Sequence, residues 1–264
     1  MPVVDDVLAD LAAEGDELDR MVSGLDPGQW RLATPAPGWT IANQVSHLAS
    51  SDRLATLAAT DAEAFGVRRA EMMAEFDEAV GADAAEFASE PPGRLLSVWR
   101  EARSALQTAL ARVPEGQRVP WIVAPVSPAT LATTRLMEFF GHGQDIADAL
   151  GVRRLVTDRI VHVARLGVRT RDYAFLARDL EPPAEEFRIE LSSPGGETWS
   201  WGPEDAAQGV SGPAIDFCLL VTQRRHRDDL RLVVRGADAN RWLSFAQAYA
   251  GPPGAGRAAG QFGA

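Results

Sequence analysis

Lysine is absent from this 264-residue chain, so that all 26 of its basic residues are arginine. Without lysine the protein cannot form a lysine Schiff base, supply a P-loop lysine to a phosphate, or use a lysine as a general base. The chain is at the same time rich in alanine, glycine, proline and aspartate. This composition indicates codon bias in a GC-rich genome. The proportions of hydrophobic residues, 46%, and charged residues, 24%, are those of ordinary globular proteins and exclude disordered and collagen-like classes.

Cysteine is nearly absent as well, because Cys218 is the only one. A single cysteine cannot form an internal disulfide, and it cannot build a cysteine-ligated zinc site or an iron–sulfur cluster. It lies in the apolar segment 215–221, which favours a buried, unreactive thiol over a nucleophile. We therefore expect a reducing, cytoplasmic location.

Long apolar runs are also missing, since none approaches the roughly 18 residues of a membrane-spanning helix. The first six residues lack the positive region of a signal peptide, so we expect no secretion signal. The net charge is −11, and residues 1–90 alone hold 18 acidic and 5 basic residues. Because this charge repels phosphate groups, we expect no nucleic acid and no membrane as partners. We expect a small-molecule substrate, and the oligomeric state stays open.

The first two-thirds of the chain have the apolar periodicity of helices. The pattern predicts helices over 3–25, 40–60, 62–79, 95–113, 129–150 and 156–180. Thr40 is a suitable N-cap for the second of them. Four or five long helices joined by short polar connections predict an antiparallel bundle.

The pattern changes after the prolines at positions 182 and 183. Residues 187–191 alternate at period two and lead through Pro194-Gly195-Gly196 into 198–201, which predicts a β-hairpin. A buried helix over 213–223, a strand over 230–234 and a final helix over 239–250 follow. The predicted fold is α+β with two domains, which are a helical domain over 1–180 and a small α+β domain over 181–254. The Gly/Pro/Ala-rich tail over 255–264 is predicted to be disordered.

Only four histidines are available as ligands: His47, His142, His162 and His226. Glu138 and His142 are four residues apart, so both project from one face of a helix and could chelate a metal ion. An amphipathic helix with a solvated charged face and an Arg135–Glu138 ion pair explains the same spacing. His162 and His226 have no carboxylate at chelating spacing, and we interpret both as structural or surface residues.

His47 lies roughly a third of a turn from the apolar stripe of its own predicted helix. A helix with two usable faces suits the interior of a bundle, where His47 could meet Glu138 and His142. A hydrogen-bonded core histidine is the simpler alternative. Two imidazoles and a carboxylate on facing helices would leave coordination positions open, as in catalytic rather than structural sites. The nearby groups that could orient the imidazoles are Asn43, Asp52, Asp145 and Gln144.

These residues form a pattern that is typical of one family. The pattern comprises Gly38-Trp39-Thr40, then Asn43, Gln44 and His47-Leu48-Ala49, then Glu138-x-x-x-His142. It resembles the N-terminal metal-binding domain of the mycothiol-dependent maleylpyruvate isomerases. That domain belongs to the DinB-like four-helix bundles, which include bacillithiol and mycothiol S-transferases. The end of the chain resembles an uncharacterised actinobacterial branch of this family through Gly236, Trp242, Ala246-Gln247-Ala248 and Gly251-Pro252-Pro253-Gly254. The similarity spans residues 3–254.

The resemblance implies that His47, Glu138 and His142 are the ligands of a divalent metal ion, with zinc as the first choice. Many DinB-like relatives use three histidines instead. The resemblance also implies extra helices beside the bundle and a sterol-carrier-like α+β domain that closes over a thiol-binding cleft. In the isomerase, basic residues help to hold the thiol cofactor mycothiol. The candidates for binding the thiol or substrate here are Arg224, Arg225 and Arg235.

Three functions stay open at this point. The first is a metal-dependent enzyme that uses a low-molecular-weight thiol such as mycothiol, as an S-transferase or cis–trans isomerase. The second keeps the metal without the thiol, as an isomerase, cyclase or hydrolase in secondary metabolism. The third is a non-catalytic protein that binds a metal or an apolar ligand. In that case Trp199, Trp201, Phe217 and Trp242 could line a pocket, although they could equally pack the core.

Overall fold

The computed structural model describes residues 4–262. The first residue of the helix predicted from position 3, and positions 263 and 264 of the tail, lie outside the described residues. The chain divides into two compact units, of which the first ends at Arg154 and the second begins at Leu155. Within the described part, no helix combines the length and apolar character needed to cross a membrane.

The first unit is built from helices. They are α1 (Val4–Val22), α2 (Ile41–Thr60), α3 (Ala62–Ala74), α4 (Phe76–Ala85), α5 (Pro92–Ala111) and α6 (Pro128–Leu150). Helices α1, α2, α5 and α6 pack on one another as the predicted four-helix bundle, and α3 and α4 lie against α2. The helix predicted over 62–79 is interrupted at Glu75, whose φ of −143° and ψ of 66° are not helical.

The core of the bundle consists of the apolar stripes that the periodicity predicts. Its largest fully buried side chains include Leu11, Leu18, Ile41, Leu48, Leu95, Trp99, Leu106 and Phe139. Burying a side chain of this size contributes about 1.5–3 kcal/mol, so these stripes supply much of the driving force that assembles the four helices.

Helix α2 begins at the predicted cap. Thr40 is extended, with φ −94° and ψ 174°, and its Oγ1 accepts the N–H of Asn43 at 3.4 Å. In return Asn43 Oδ1 accepts the N–H of Thr40 at 3.0 Å, and the Asn43 amide donates to the Ala84 carbonyl of α4 at 3.0 Å. This capping box satisfies two N–H groups that a helix start leaves without intrahelical partners. It therefore fixes where α2 starts and which face carries His47.

The second unit combines a four-stranded sheet with four helices, as the predicted fold class requires. The strands are β1 (Phe187–Ser192), β2 (Thr198–Trp201), β3 (Gln208–Pro213) and β4 (Val233–Arg235), and the helices are α7 (Val161–Arg169), α8 (Arg171–Leu176), α9 (Ala214–Val221) and α10 (Ala237–Leu243). The strand order is β2-β1-β3-β4. β1 pairs antiparallel with β2 and parallel with β3, and β3 pairs antiparallel with β4. The predicted hairpin is thus present. β3 was not predicted, because its two glycines and terminal proline hide the strand pattern.

Several predicted elements of this unit are shorter than expected. The helix predicted over 156–180 is a 3-10 turn at Asp158–Ile160 followed by α7 and α8, with a break at Thr170. In place of the strand predicted over 230–234, the structure has the shorter strand β4 at Val233–Arg235. The final helix ends at Leu243, after which the Ser244 hydroxyl donates to the Arg241 carbonyl. Since α7 and α8 lie in the second unit, the domain boundary predicted at position 180 falls later than the division between the units.

The aromatic residues of the second unit divide between core and surface. Phe217 and Trp242 are buried and lie 5.9 Å apart between ring centroids, and Cys218 is buried beside them on α9. Trp199 and Trp201, on β2, are half-buried. Phe217 and Trp242 therefore pack the core, in line with the alternative to a ligand pocket.

The tail after residue 254 contains no helix or strand as far as the structure describes it. It nevertheless contacts the second unit at two points. The N–H of Gly260 donates to the Asp229 carboxylate at 2.8 Å, and the Arg225 guanidinium lies 4.1 Å from the ring centroid of Phe262. The tail over 255–264 was predicted to be disordered, but within its described part Gly260 and Phe262 make these defined contacts.

Arg154 joins α1 to α6 within the first unit. Its guanidinium donates to Glu14 at 2.5 Å, to Glu17 at 3.1 Å and to the Phe140 carbonyl at 2.9 Å. The side chain is only 5% exposed. Because a buried carboxylate that loses its cation is strongly disfavoured, this contact is a firm link between the first and last helices of the bundle.

We expect the substitution Arg154→Ala to lower the free energy of unfolding by about 3 kcal/mol or more, because Glu14 stays buried without its guanidinium. Urea denaturation followed by circular dichroism measures the change. The matched control is Arg153→Ala at the exposed neighbouring position, which should change stability by no more than about 0.5 kcal/mol. Equal effects of the two substitutions would contradict the assigned importance of the Arg154 contacts.

Candidate metal centre

The three predicted ligands lie together in the first unit. His47 on α2 and Glu138 and His142 on α6 each offer a ligand atom, and these atoms lie within 4.8 Å of one another. Glu138 Oε2 is 3.0 Å from His142 Nε2 and 3.9 Å from His47 Nε2. Ligand bonds of about 2.0–2.1 Å to a tetrahedral cation place neighbouring ligand atoms roughly 3.3 Å apart. The observed separations are comparable, so small side-chain adjustments suffice to surround one cation.

The face of α6 that carries Glu138 is buried rather than solvated. Arg135 is 3% exposed, His142 8% and Asp145 0%. Arg135 Nε donates to Asp52 Oδ1 on α2 at 2.9 Å, so its hydrogen bond goes to Asp52 and not to Glu138. The alternative of a solvated charged face with an Arg135–Glu138 ion pair is therefore wrong. The charged stripe of α6 faces α2 inside the bundle.

The centre is buried but not sealed. The side chains of His47, Glu138 and His142 are 12%, 22% and 10% exposed. Partial burial strengthens electrostatic interactions with a cation, while the remaining exposure leaves a route for a small ligand. This combination is typical of catalytic metal sites with an open coordination position.

Trp39 forms one wall of the centre. Its ring centroid lies 5.1 Å from that of His47 and 5.9 Å from that of His142, and it is nearly parallel to the His142 ring, at 13°. The two imidazole centroids are 4.8 Å apart. Trp39 precedes the Thr40 cap directly, so the same loop that starts α2 brings an indole against both imidazoles.

The donor set fits a divalent cation chemically. Burial alone would raise the pKa of Glu138, but the hydrogen bond and charge of His142, with the charges of Arg135 and His47, hold this pKa well below its usual range. Glu138 is therefore an ionised carboxylate at neutral pH. One carboxylate with two imidazoles is a set that Zn²⁺ and other borderline divalent ions accept.

The predicted orienting residues have other contacts. Asn43 holds the start of α2, and Asp52 accepts from Arg135. Asp145 is fully buried, and Gln144 donates to Asp148 at 2.8 Å. Their role in orienting the imidazoles stays a prediction.

The structure provides two imidazole contacts that the sequence analysis did not assign. Gln44 Oε1 lies 2.5 Å from His142 Nδ1, and Ser51 Oγ lies 3.3 Å from His47 Nε2. Ser51 is one turn beyond His47, a spacing that could have indicated the contact. Gln44 is three residues before His47, and its partner on α6 is not visible from spacing along the chain.

The remaining predicted residues lie in the second unit. Arg224 donates to the Thr222 carbonyl at 2.6 Å, Arg225 to the Arg224 carbonyl at 2.7 Å, and Arg235 to the Ala206 carbonyl at 2.6 Å. His226 accepts from the Asp228 N–H at 3.2 Å and is 37% exposed, whereas His162 is buried in α7. The role of the three arginines in binding a thiol stays a prediction.

Comparison with known proteins agrees with the geometry of the first unit. Residues 11–147 match the family model described as the mycothiol maleylpyruvate isomerase N-terminal domain. The chain belongs to this family. The resemblance stated from the sequence is thereby confirmed, and all three candidate ligands lie inside the matched region. Residues 183–235 match a second model, described as wyosine base formation.

Two further comparisons give relatives along most of the chain and a shared fold. The chain is 51% identical over 250 residues to uncharacterised proteins from two strains of Mycobacterium tuberculosis, covering 95% of this chain and 97% of each relative. The crystal structure of the mycothiol-dependent maleylpyruvate isomerase superposes with a TM-score of 0.60 at 16% identity, over 88% of this chain and 93% of that one. A histidine-to-alanine mutant of that enzyme gives a TM-score of 0.59. At this identity the solved structures show the shared fold.

We expect the purified protein to hold one zinc ion per chain after reconstitution, and the His142→Ala variant to hold none after desalting. Removing His142 leaves one imidazole and one carboxylate, too few ligands to retain the ion. Inductively coupled plasma mass spectrometry measures the ratio of metal to protein. His226→Ala, at the partly exposed histidine of the second unit, should retain the full ratio. A one-to-one ratio in the His142→Ala variant would reject the ligand assignment.

The buried Asp52–Arg135 pair predicts a pH effect on stability. Burial raises the pKa of Asp52 from 3.8 to about 6, although Arg135 and Arg103 act in the opposite direction. The folded state therefore binds the proton more tightly than the unfolded state, and stability falls as the pH rises from 3.8 to about 6. Above that pH the contribution of this group is constant.

We expect the substitution Arg135→Met to extend this fall above pH 6, because the pKa of Asp52 rises further without the neighbouring cation. Each additional unit of elevation costs the ionised form about 1.4 kcal/mol. Urea denaturation in the presence of a chelator gives the free energy of unfolding at pH 5.5 and at pH 8. The value for the variant should fall further below that of the wild type at pH 8 than at pH 5.5. Adding Asp52→Asn to this variant should remove the pH-dependent part. Parallel wild-type and single-variant curves would contradict the expectation.

Proposed function

We propose that this protein is a divalent-metal-dependent enzyme that uses a low-molecular-weight thiol of the mycothiol type, as an S-transferase or cis–trans isomerase. The observation that carries the proposal is the convergence of His47, Glu138 and His142 on one point, in a chain of the mycothiol maleylpyruvate isomerase N-terminal domain family. Zinc is the metal we expect, because imidazole and carboxylate ligands suit it. We expect the cytoplasm as the location.

The number and charge of the ligands support a catalytic centre. Three protein ligands leave at least one position of a tetrahedral ion for an exogenous group. A divalent ion and one ionised carboxylate leave a formal charge of +1, which attracts a thiolate or an acidic substrate. Glu138 stays ionised because His142, Arg135 and His47 outweigh its burial.

The chemistry of the proposed reaction begins with the thiol. A bound divalent cation supplies positive charge that favours the thiolate form of a neighbouring thiol. The thiolate sulfur adds to an electrophilic carbon of the substrate and forms a C–S bond. In an isomerisation, that bond breaks after rotation about the adjacent carbon–carbon bond, and the double bond forms again. In a transfer, the C–S bond remains: either the adjacent carbon, which received the electron pair of the broken double bond, takes up a proton, or the attacked carbon releases a leaving group with its bonding electron pair.

The candidate residues of the two units have separate tasks in this scheme. His47, Glu138 and His142 hold the cation, and Trp39 shields one side of both imidazoles from water. In the second unit, Arg224, Arg225 and Arg235 are the groups we propose for binding the thiol or the substrate, on the basis of the family resemblance.

The test is to incubate the zinc-loaded protein with mycothiol and either maleylpyruvate or a reactive electrophile. We expect mycothiol-dependent isomerisation or a thioether adduct, detected by absorbance and by mass spectrometry. The His47→Ala variant should lose both, while His226→Ala should keep them. Turnover without any thiol would instead support a thiol-independent isomerase, cyclase or hydrolase. Bound zinc with no thiol affinity and no turnover would support a non-catalytic binding protein.

A further inference from the structure

A chain of hydrogen bonds joins the loop before α2 to His142. Gln44, which is fully buried, places Oε1 2.5 Å from His142 Nδ1 and Nε2 2.8 Å from Thr34 Oγ1. Thr34 Oγ1 in turn lies 2.9 Å from the carbonyl oxygen of Trp39. Four groups from one loop and two helices are thus connected in a single line.

The direction of this chain follows from which atoms carry hydrogens. The Trp39 carbonyl only accepts, so the single hydroxyl hydrogen of Thr34 points to it, and Thr34 Oγ1 is left to accept. The group of Gln44 that faces Thr34 must then be the amide NH₂. This requirement decides the orientation of the Gln44 amide. Its Oε1 consequently faces His142.

The same reasoning determines which ring nitrogen of His142 carries a proton. An amide oxygen cannot donate, so the nitrogen that meets Gln44 Oε1, Nδ1, carries the proton. The nitrogen left to bind a metal is then Nε2. Nε2 lies 3.0 Å from Glu138 Oε2, on the side of the candidate metal centre, so without a metal it shares a hydrogen with this carboxylate, and metal binding would release that hydrogen and free the lone pair.

We infer that Gln44 and Thr34 are positioning residues that select Nε2 of His142 as the metal ligand, an inference that rests on the proposed metal-dependent function. Gln44 acts on His142 directly, and Thr34 acts through Gln44. Outer-shell partners of this kind fix the tautomer and orientation of a ligating histidine, and their loss typically weakens metal affinity about 10–100-fold.

The loop before α2 supports this arrangement from two sides. The N–H of Thr34 also donates to the Trp39 carbonyl, at 2.8 Å, and Ala33 pairs with Thr40 across the loop. Trp39 therefore ends the hydrogen-bond chain with its carbonyl while its indole lies parallel to the His142 ring. Trp39 therefore restrains His142 in two ways, with its carbonyl through the hydrogen-bond chain and with its indole through the parallel rings.

Removing the Thr34 hydroxyl should weaken the selection of His142 Nε2 as the metal ligand. Without it, the Gln44 amide is free to turn by 180° and direct its NH₂ at His142. Two donors would then face each other, unless the ring moves its proton from Nδ1 to Nε2. That proton would occupy the lone pair needed by the metal, so part of the protein would be unable to bind it.

The experiment compares zinc affinity in five single variants of the full chain by competition with a chromophoric chelator. Gln44→Leu should bind zinc about 10–100-fold more weakly than the wild type. Thr34→Val should weaken binding by a smaller factor, and Thr34→Ser should restore it. Gln44→Glu, which keeps an acceptor toward His142, should bind more tightly than Gln44→Leu. Gln29→Leu is the matched control, since Gln29 Oε1 accepts the N–H of Asp26 at 3.0 Å, and it should bind like the wild type.

Nitrogen-15 NMR of histidine-labelled, zinc-loaded protein gives a second readout that a purely structural role would not move. Wild type and Thr34→Ser should show coordination of His142 through Nε2 with a proton on Nδ1. In Thr34→Val we expect this signal to be joined by a second state. Thermal unfolding checks each fold. If Gln44→Leu does not fold, the Thr34→Val and Thr34→Ser pair decides.

The outcomes separate this inference from the proposed function. Wild-type zinc affinity in both Gln44→Leu and Thr34→Val, or coordination through Nδ1, would overturn the positioning role while leaving the metal centre in place. No zinc binding by the wild type would overturn the proposed function itself. Weak binding in Gln44→Leu with wild-type behaviour in Gln29→Leu and Thr34→Ser supports the inference.

Discussion

The contact between an ionised carboxylate and two imidazoles inside the bundle is the interaction on which the candidate site depends. Glu138 meets His142 on its own helix and His47 on α2, and the contact with His47 requires α2 and α6 to pack in one register. A rotation of either helix by one residue, about 100°, would point these side chains in different directions. The capping box at Thr40 and the packing of α4 against α2 keep that register.

The surroundings of this contact are unusually polar for a helical core. Asp52, Arg135 and Asp145 are all buried between the helices near Glu138. Burying a charged pair such as Asp52–Arg135 is weak evidence for stability, because desolvation opposes the attraction between the charges. The pair is better understood as part of the electrostatic environment of the centre, since Arg135 helps to keep Glu138 ionised.

The candidate site could be predicted from the sequence where its geometry is local. The four-residue spacing of Glu138 and His142 determines a shared face, and the position of His47 off its apolar stripe indicates a second interior face. The Thr34–Gln44–His142 connection could not be predicted, because it depends on how a loop folds back on α2 and how α2 meets α6. Contacts of this kind join residues that are far apart along the chain, so they produce no periodic pattern in the sequence.

The fold shows the same difference between elements set by local sequence and elements set by tertiary contacts. The long helices of the first unit have a strong apolar period, and they lie close to the predicted positions. In the second unit, β3 contains Gly209 and Gly212 and only one buried aliphatic side chain, Val210, so its strand character comes from pairing with β1 and β4. The break at Thr170 has no proline or glycine at that position or directly beside it to indicate it. Short elements that depend on their neighbours are the ones that pattern analysis misses.

The division of the chain at Arg154 places the whole candidate metal centre in the first unit. All three candidate ligands, together with Trp39, Thr34 and Gln44, lie before that residue, and the family match to the first unit ends at residue 147. A gene fusion that replaced everything from Leu155 onwards would leave every one of these side chains encoded. The first unit alone thus carries every residue of the candidate metal centre.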